Sequence, residues 1–128
     1  MEEVDKMNRR ILIPSQDQDG NVVAAHFGRA PYFATVDIDE DGNIMDKDVH
    51  ANRGEHAGGR GHAHDNVLTL QPNVIIVQGM GPRGLRSFQS QNIAVLQANS
   101  RDVDQVVQSY IDGDLQELTD GCDQARHA

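Results

Sequence analysis

The chain is nearly devoid of cysteine: Cys122 is the only one in 128 residues. A single thiol closes no internal disulfide, which fits a reducing compartment. Tryptophan is absent and aromatic residues make up 4% of the chain. Base-stacking platforms need exposed aromatics, and a formal net charge of −9 repels phosphate backbones. Both features exclude nucleic acid as a partner. Long apolar runs are missing as well. No stretch approaches the roughly 20 apolar residues of a membrane span. The opening MEEVDKMNRRILIP carries acids where a signal peptide has bases. The expectation is a soluble, cytoplasmic protein with no membrane association, its acidity serving solubility. Apolar residues still reach 38%, enough at this length for one domain with a real core.

What is present reads as a mixed α/β chain. Residues 1–9 form a polar extension, 10–118 the domain, and 119–128, ending in DGCDQARHA, a polar tail. ILIP at 11–14 is a short buried strand that Pro14 is expected to end. Asp19-Gly20 turns the chain. YFATVDID alternates, with Tyr32, Ala34, Val36 and Ile38 on one face. Asp41-Gly42 is a hairpin turn into a partner strand from Ile44 to Val49, polar enough for a sheet edge and giving no reason to expect anything but a monomer. Asp65 is a candidate cap for the short helix NVLTL, which Pro72 stops. VIIV at 74–77 has the composition of a strand buried on both faces. Pro82 opens a helix in which Leu85 and Phe88 face the sheet, and IAVL at 93–96 is the next strand. Ser100 or Asp102 caps the last helix. There Val103, Val106, Val107, Tyr110 and Ile111 make an apolar stripe, and Gly113 ends it. Strands separated by helices imply parallel pairing with right-handed crossovers, so the fold class is α/β, with a mixed sheet of about five strands and helices on its faces.

Two segments carry chemistry. GMGPRG joins the VIIV strand to its helix and fits G-x-G-x-x-G at Gly79, Gly81 and Gly84. Free backbone N–H groups at a helix start attract anions. Arg83 and Arg86 add positive charge, and glycines admit a ligand close to the backbone. A nucleotide is one candidate, with Asp102 about 20 residues on as a ribose partner. Against it stand the motif's position in mid-chain, the N–H removed by Pro82 and a chain too short for a dinucleotide fold. A plain structural turn is another candidate. The second segment, ANRGEHAGGRGHAH at 51–64, is rich in glycine and holds His56, His62 and His64, with His50 just before it and His26 in an earlier loop. Imidazole suits zinc, copper, iron and nickel, and H-x-H sends two side chains to one side of an extended segment. There is no C-x-x-C and no H-E-x-x-H, so a polar loop with adventitious metal affinity stays open beside a ligand site. Arg53 and Arg60 suit a bulky anion that itself contains metal. Catalysis has little support: no serine or cysteine has a base partner, and the aspartates lack calcium-loop spacing.

The order ILIPS, HFGRAPYF, GHAHD, L.PNVIIVQGMGPRGL and IAV resembles the nitrogenase iron-molybdenum cofactor biosynthesis family, comprising NifX-type carriers and the matching domain of NifB-type proteins. The likeness covers residues 10 to about 118. It implies a ribonuclease-H-like three-layer α/β/α fold. It also implies carriage of an iron-sulfur, molybdenum-iron or molybdenum-copper sulfide cluster rather than catalysis. In one branch, the orange protein of sulfate reducers, such a cluster is held non-covalently. These clusters are anionic, so arginines, backbone N–H groups and imidazoles are suitable hosts. Carried over residue by residue, the resemblance points to His26, Phe27, Gly28 and Arg29 in the first loop. His62 and His64 follow in the second, with His56 and Arg60 beside them. Gly79, Met80 and Gly81 make the third, with Arg83 after it. Met80 offers a thioether or an apolar wall. The partners implied are cluster donor and acceptor proteins. A small-anion or nucleotide module and a partner-binding domain are the competing readings.

Overall fold

In the computed structural model, residues 8–52 and 67–118 are described. Five strands form one sheet: β1 (Arg9–Ser15), β2 (Tyr32–Ile38), β3 (Ile44–Ala51), β4 (Val74–Val77) and β5 (Ala94–Gln97). Their spatial order is β3-β2-β1-β4-β5. β2 runs antiparallel to both β1 and β3, while β4 is parallel to β1 and to β5. Two helices follow β4 and β5, α1 (Pro82–Ser90) and α2 (Val103–Ile111), and residues 67–70 are also helical.

The alternation along the strands divides the core into two halves. On one face Leu12, Phe33, Ile75, Val77 and Val95 pack with Val67, Leu85 and Phe88 from the helical segments. On the other, Ile11, Ile13, Val36, Ile38, Val74 and Ile76 meet the α2 stripe of Val103, Val106 and Val107. The result is a three-layer α/β/α fold of the ribonuclease-H-like type. β4 has all four residues buried, as a strand flanked by neighbours and covered on both faces must. Asp102 is the α2 cap, accepting from the Gln105 N–H at 3.2 Å. That use of its carboxylate argues against a ribose partner. Past the helix, Gly113 takes φ +80°.

Three local expectations are corrected. Pro14 does not end β1, which continues to Ser15. The β4 ladder reaches only Leu12, so beyond it the missing donor costs nothing, and the Pro14 carbonyl accepts from the Ala24 N–H at 2.8 Å instead. β5 starts one residue later than IAVL suggests, at Ala94. β3 lies at the sheet edge, as its polarity indicates, and extends two residues past Val49 to Ala51.

One consequence of this topology positions the site. β1, β3, β4 and β5 all point the same way, since β3 is antiparallel to β2 and β2 to β1. The segments that follow β1, β3 and β4 therefore leave the sheet from one edge. These are the segments that hold HFGRAP, the histidines of residues 53–66, and GMGPRG.

Candidate functional site

The connection from β1 to β2 leaves Ser15 and turns back beside the end of β1, where Val23 bridges Ser15. Asp17 shapes its start. Its Oδ1 accepts from the N–H groups of Asn21 (2.9 Å) and Val22 (3.0 Å) and lies 3.0 Å from Ser15 Oγ. Desolvation raises the Asp17 pKa, but the N–H groups of Val22 and Asn21 and the Ser15 hydroxyl outweigh it, and the net shift is downward. A carboxylate whose folded pKa is depressed stabilises the fold above its unfolded pKa, about 3.9 for aspartate. That stability is lost as pH falls through the folded value. Thermal midpoints of the Asp17→Asn variant should therefore fall less steeply with acid than those of the wild type below about pH 4. An identical acid limb in the two proteins would refute this role.

The connection then reaches a turn closed by the Ala30 N–H on the Phe27 carbonyl at 3.3 Å. Phe27 is the anchor. Its ring lies 5.6 Å from Phe33, tilted at 35°, and 5.6 Å from Phe88, edge-on at 78°. Such geometry adds about 0.5–1.5 kcal/mol per pair beyond burial. With the ring held inside, His26, Gly28 and Arg29 are left exposed.

The second wall is the glycine turn. Its root is tied down: the Val77 carbonyl accepts from Ala98 N–H, and the Gln78 carbonyl from the Gln97 side-chain amide, each at 2.7 Å. Gly81 is the cap of α1 and Pro82 its first residue. The first-turn N–H groups of Arg83 and Gly84 thus have no partner within the helix. Met80 turns inward and is 8% exposed. Its thioether sits where a Cβ on Gly84 would be 3.6 Å from Sδ, an ordinary packing contact.

The two walls face each other across an open cavity of about 580 Å³ lined by Ala25, His26, Phe27, Gly28, Arg29, Gly79, Met80, Gly81 and Gly84. The structure thus brings together His26, Phe27, Gly28, Arg29, Gly79, Met80 and Gly81. Arg83 is exposed on α1 next to the cavity without lining it. Among the described residues no carboxylate pairs with Arg29 or Arg83. His56, Arg60, His62 and His64 lie outside the described residues. His50 is in β3, its Nε2 3.1 Å from Thr35 Oγ1, and does not line the cavity. Two lining residues, Ala25 and Gly84, are not among the site residues that the sequence points to. The third glycine of GMGPRG is the available signal for Gly84, and nothing marks Ala25.

The glycines of the cavity are of an unusual kind. A Cβ built on Gly28, Gly79 or Gly81 meets nothing within 4 Å, and none of the three has a left-handed φ. Neither backbone nor packing calls for glycine there. By contrast, Gly20 has φ +71° and a Cβ there would stand 2.8 Å from Val49 Cγ2. Among the described residues no group of three or more His, Cys, Asp or Glu is placed to hold a metal ion. The described lining offers the Arg29 guanidinium, the His26 imidazole, the backbone N–H groups of the glycine turn and the apolar side chains of Phe27 and Met80.

Fold and cavity together define a small α/β protein with a glycine-walled cup at the carboxyl edge of its parallel strands. Residues 9–113 match the family model described as dinitrogenase iron-molybdenum cofactor, and the chain belongs to that family. An uncharacterised protein of Methanocaldococcus jannaschii is 32% identical over 103 residues, covering 78% of this chain and 86% of its own. The apo orange protein from Desulfovibrio gigas superposes with a TM-score of 0.70 at 25% identity, over 87% of this chain and 93% of that one. A crystal structure of another M. jannaschii protein gives a TM-score of 0.72 at 20% identity, covering 88% and 96%, which speaks for the fold alone. No helix among the described residues is long and apolar enough to cross a membrane.

Proposed function

We propose that this protein is a non-catalytic carrier that holds an anionic metal–sulfur cluster as cargo, of molybdenum-iron or molybdenum-copper sulfide type, and passes it between donor and acceptor proteins. The observation that carries this reading is the set of glycines, Gly28, Gly79 and Gly81, whose missing side chains leave open space facing one cavity. Room kept clear at three positions from two separate loops is room for a ligand. Family membership supplies its kind. The donors fit that kind: a sulfide cluster brings its own ligands to its metals, so it needs compensation of negative charge more than a cage. His26, Arg29 and the N–H groups of the glycine turn suit that need, with Arg83 beside them. Phe27 and Met80 form the apolar floor. His62 and His64, with His56 and Arg60, belong to the segment after β3, which leaves the sheet from the same edge. We assign them to the cargo from that exit point and from the family pattern.

The carrier is read as a monomer. Antiparallel pairing of β3 with its own copy joins residues of the same face. The central registers then oppose Asp46 to Asp46, Asp46 to Asp48, or Asp48 to Asp48, which resists edge-to-edge association. Light scattering at the mass of one chain, 14.1 kDa, checks this.

The test of cargo is anaerobic. Protein incubated with tetrathiomolybdate, alone and with copper(I) or iron(II), is separated by gel filtration, and metal, sulfide and visible absorption are measured. Stoichiometric metal and sulfide co-eluting with the protein is the expected result. No retention under any condition, together with a thermal shift by phosphate or nucleotides, would replace the carrier by a small-anion module.

A further inference from the structure

The cavity's first wall is only as well placed as the turn that bears it, and one side chain outside the cavity controls that turn. Asn52 follows the last residue of β3 and is 2% exposed. Its Nδ2 donates to the Ala30 carbonyl at 2.8 Å, and its backbone N–H donates to the Pro31 carbonyl at 2.9 Å. Ala30 is the residue whose own N–H closes the turn onto Phe27. The Asn52 amide therefore clamps the far end of the segment that presents Phe27, Gly28 and Arg29. Ala30 is itself buried, at 1% exposure, so water does not readily take the place of a lost donor, and an unmet buried carbonyl is costly. Apolar packing holds Phe27, whereas Gly28 and Arg29 are exposed and have no such anchor of their own. A directed hydrogen bond fixes the backbone between them and β2.

We propose that Asn52 is a positioning residue for the cargo cavity: its side-chain N–H, donated to the Ala30 carbonyl, sets the orientation of the Phe27–Ala30 turn and so of the wall formed by Gly28 and Arg29. The inference rests on the carrier reading for its functional consequence, but its structural content stands without cargo. Asn52 also joins two segments of the chain that leave the sheet separately, since it follows β3 while Ala30 and Pro31 belong to the connection between β1 and β2.

The discriminating variant is Asn52→Asp, close in shape and different in hydrogen. The carboxylate cannot donate to Ala30, whereas the protonated acid can. Burial disfavours the charged form of a carboxyl, so acidification is expected to restore the donor. Two readouts are taken from neutral pH into acid, with wild type alongside at every pH. The first, made on protein without cargo, is the amide chemical shifts of Gly28, Arg29 and Ala30 and the hydrogen exchange of Ala30, whose N–H closes the turn. Exchange at Ala30 is expected to rise at least ten-fold at neutral pH in the variant, the three shifts to move with it, and all to return towards wild type in acid. Amides of β4 and α2 should stay within two-fold. The second is retention of tetrathiomolybdate with copper(I), expected to fall at least ten-fold at neutral pH and to recover in step with the first.

Turn amides unchanged at neutral pH would overturn the proposal. So would changes spread over the whole sheet, which would make Asn52 a general fold residue, or a variant whose loss does not reverse in acid. Absence of cargo retention in the wild type would sink the carrier reading, and the turn amides alone would then decide the role of Asn52. If Asn52→Asp does not fold at neutral pH, Asn52→Ser, which keeps a shorter donor, takes its place. It should show the same localised rise in exchange, and a turn as protected as in the wild type would again overturn the proposal.

Discussion

Alanine at Gly79 and Gly81 together is expected to abolish cargo retention while leaving the thermal midpoint unchanged or raised. Most substitutions that remove function from a small domain also remove stability. Here the two should part. Gly81 has φ −65° and ψ 155°, a conformation any residue adopts. At Gly79 φ lies outside the left-handed region, and a Cβ at either position meets nothing within 4 Å. Alanine at a compatible glycine restricts the unfolded chain and stabilises by about 0.4–1 kcal/mol. The same methyl groups would occupy the wall of the cup and hold the cargo off the backbone N–H groups. A loss of at least ten-fold in retention, worth about 1.4 kcal/mol, is the minimum consistent with close approach. Gly20→Ala is the contrasting control. With φ +71° and Val49 Cγ2 at 2.8 Å from the added Cβ, it should lose roughly 1–2 kcal/mol through strain and retain cargo. Full retention in the Gly79→Ala, Gly81→Ala protein would rule out the idea that these glycines keep space for a ligand.

How far such a site is legible in sequence depends on whether its signal is local. VIIV is a run of four apolar residues bounded by turn formers, and the α2 stripe repeats with helical period. The first comes through because burial on both faces demands an unbroken apolar run, the second because burial on one face imposes the helical period. Pro14 misleads because the rule about its missing N–H is conditional on a neighbour. The ladder with β4 stops at Leu12, and no local pattern reveals where a partner strand ends. The return of residues 21–24 beside the end of β1, where Val23 bridges Ser15 and Val22 bridges Asp102, likewise has no periodic trace.

The candidate site divides in the same way. HFGR and GMG are visible as motifs, and the family resemblance puts them in one site. That they line one cavity is a fact of topology, since they follow β1 and β4 and leave a common edge. Asn52 carries no motif of its own. Its role exists only because Ala30 comes to lie beside it, 22 positions earlier in the chain. Asp19-Gly20 marks Gly20 as a turn glycine, but nothing local shows that Gly79 faces empty space. One glycine serves the backbone and the other leaves a void, and the void lies in the surroundings of the absent side chain.

Phe27→Ala should produce the opposite pairing, losing stability and cargo together. Phe27 is 8% exposed and contacts both Phe33 and Phe88 at 5.6 Å. Truncating a buried phenylalanine costs about 3–5 kcal/mol, against a total stability of about 5–15 kcal/mol for a domain of ordinary size. A fall of roughly 10 °C or more in the thermal midpoint follows. The ring also holds the turn against the sheet, so its removal releases the Asn52-clamped segment at its other end and opens the floor of the cup. Phe27→Leu separates the two effects. Leucine refills most of the volume at a cost of about 1.5 kcal/mol and keeps the apolar floor, so cargo should be retained to within a few-fold. Were Phe27→Leu to lose cargo as completely as Phe27→Ala while remaining folded, the ring itself would be in contact with cargo. The apolar-floor role assigned to Phe27 would then give way to a direct one.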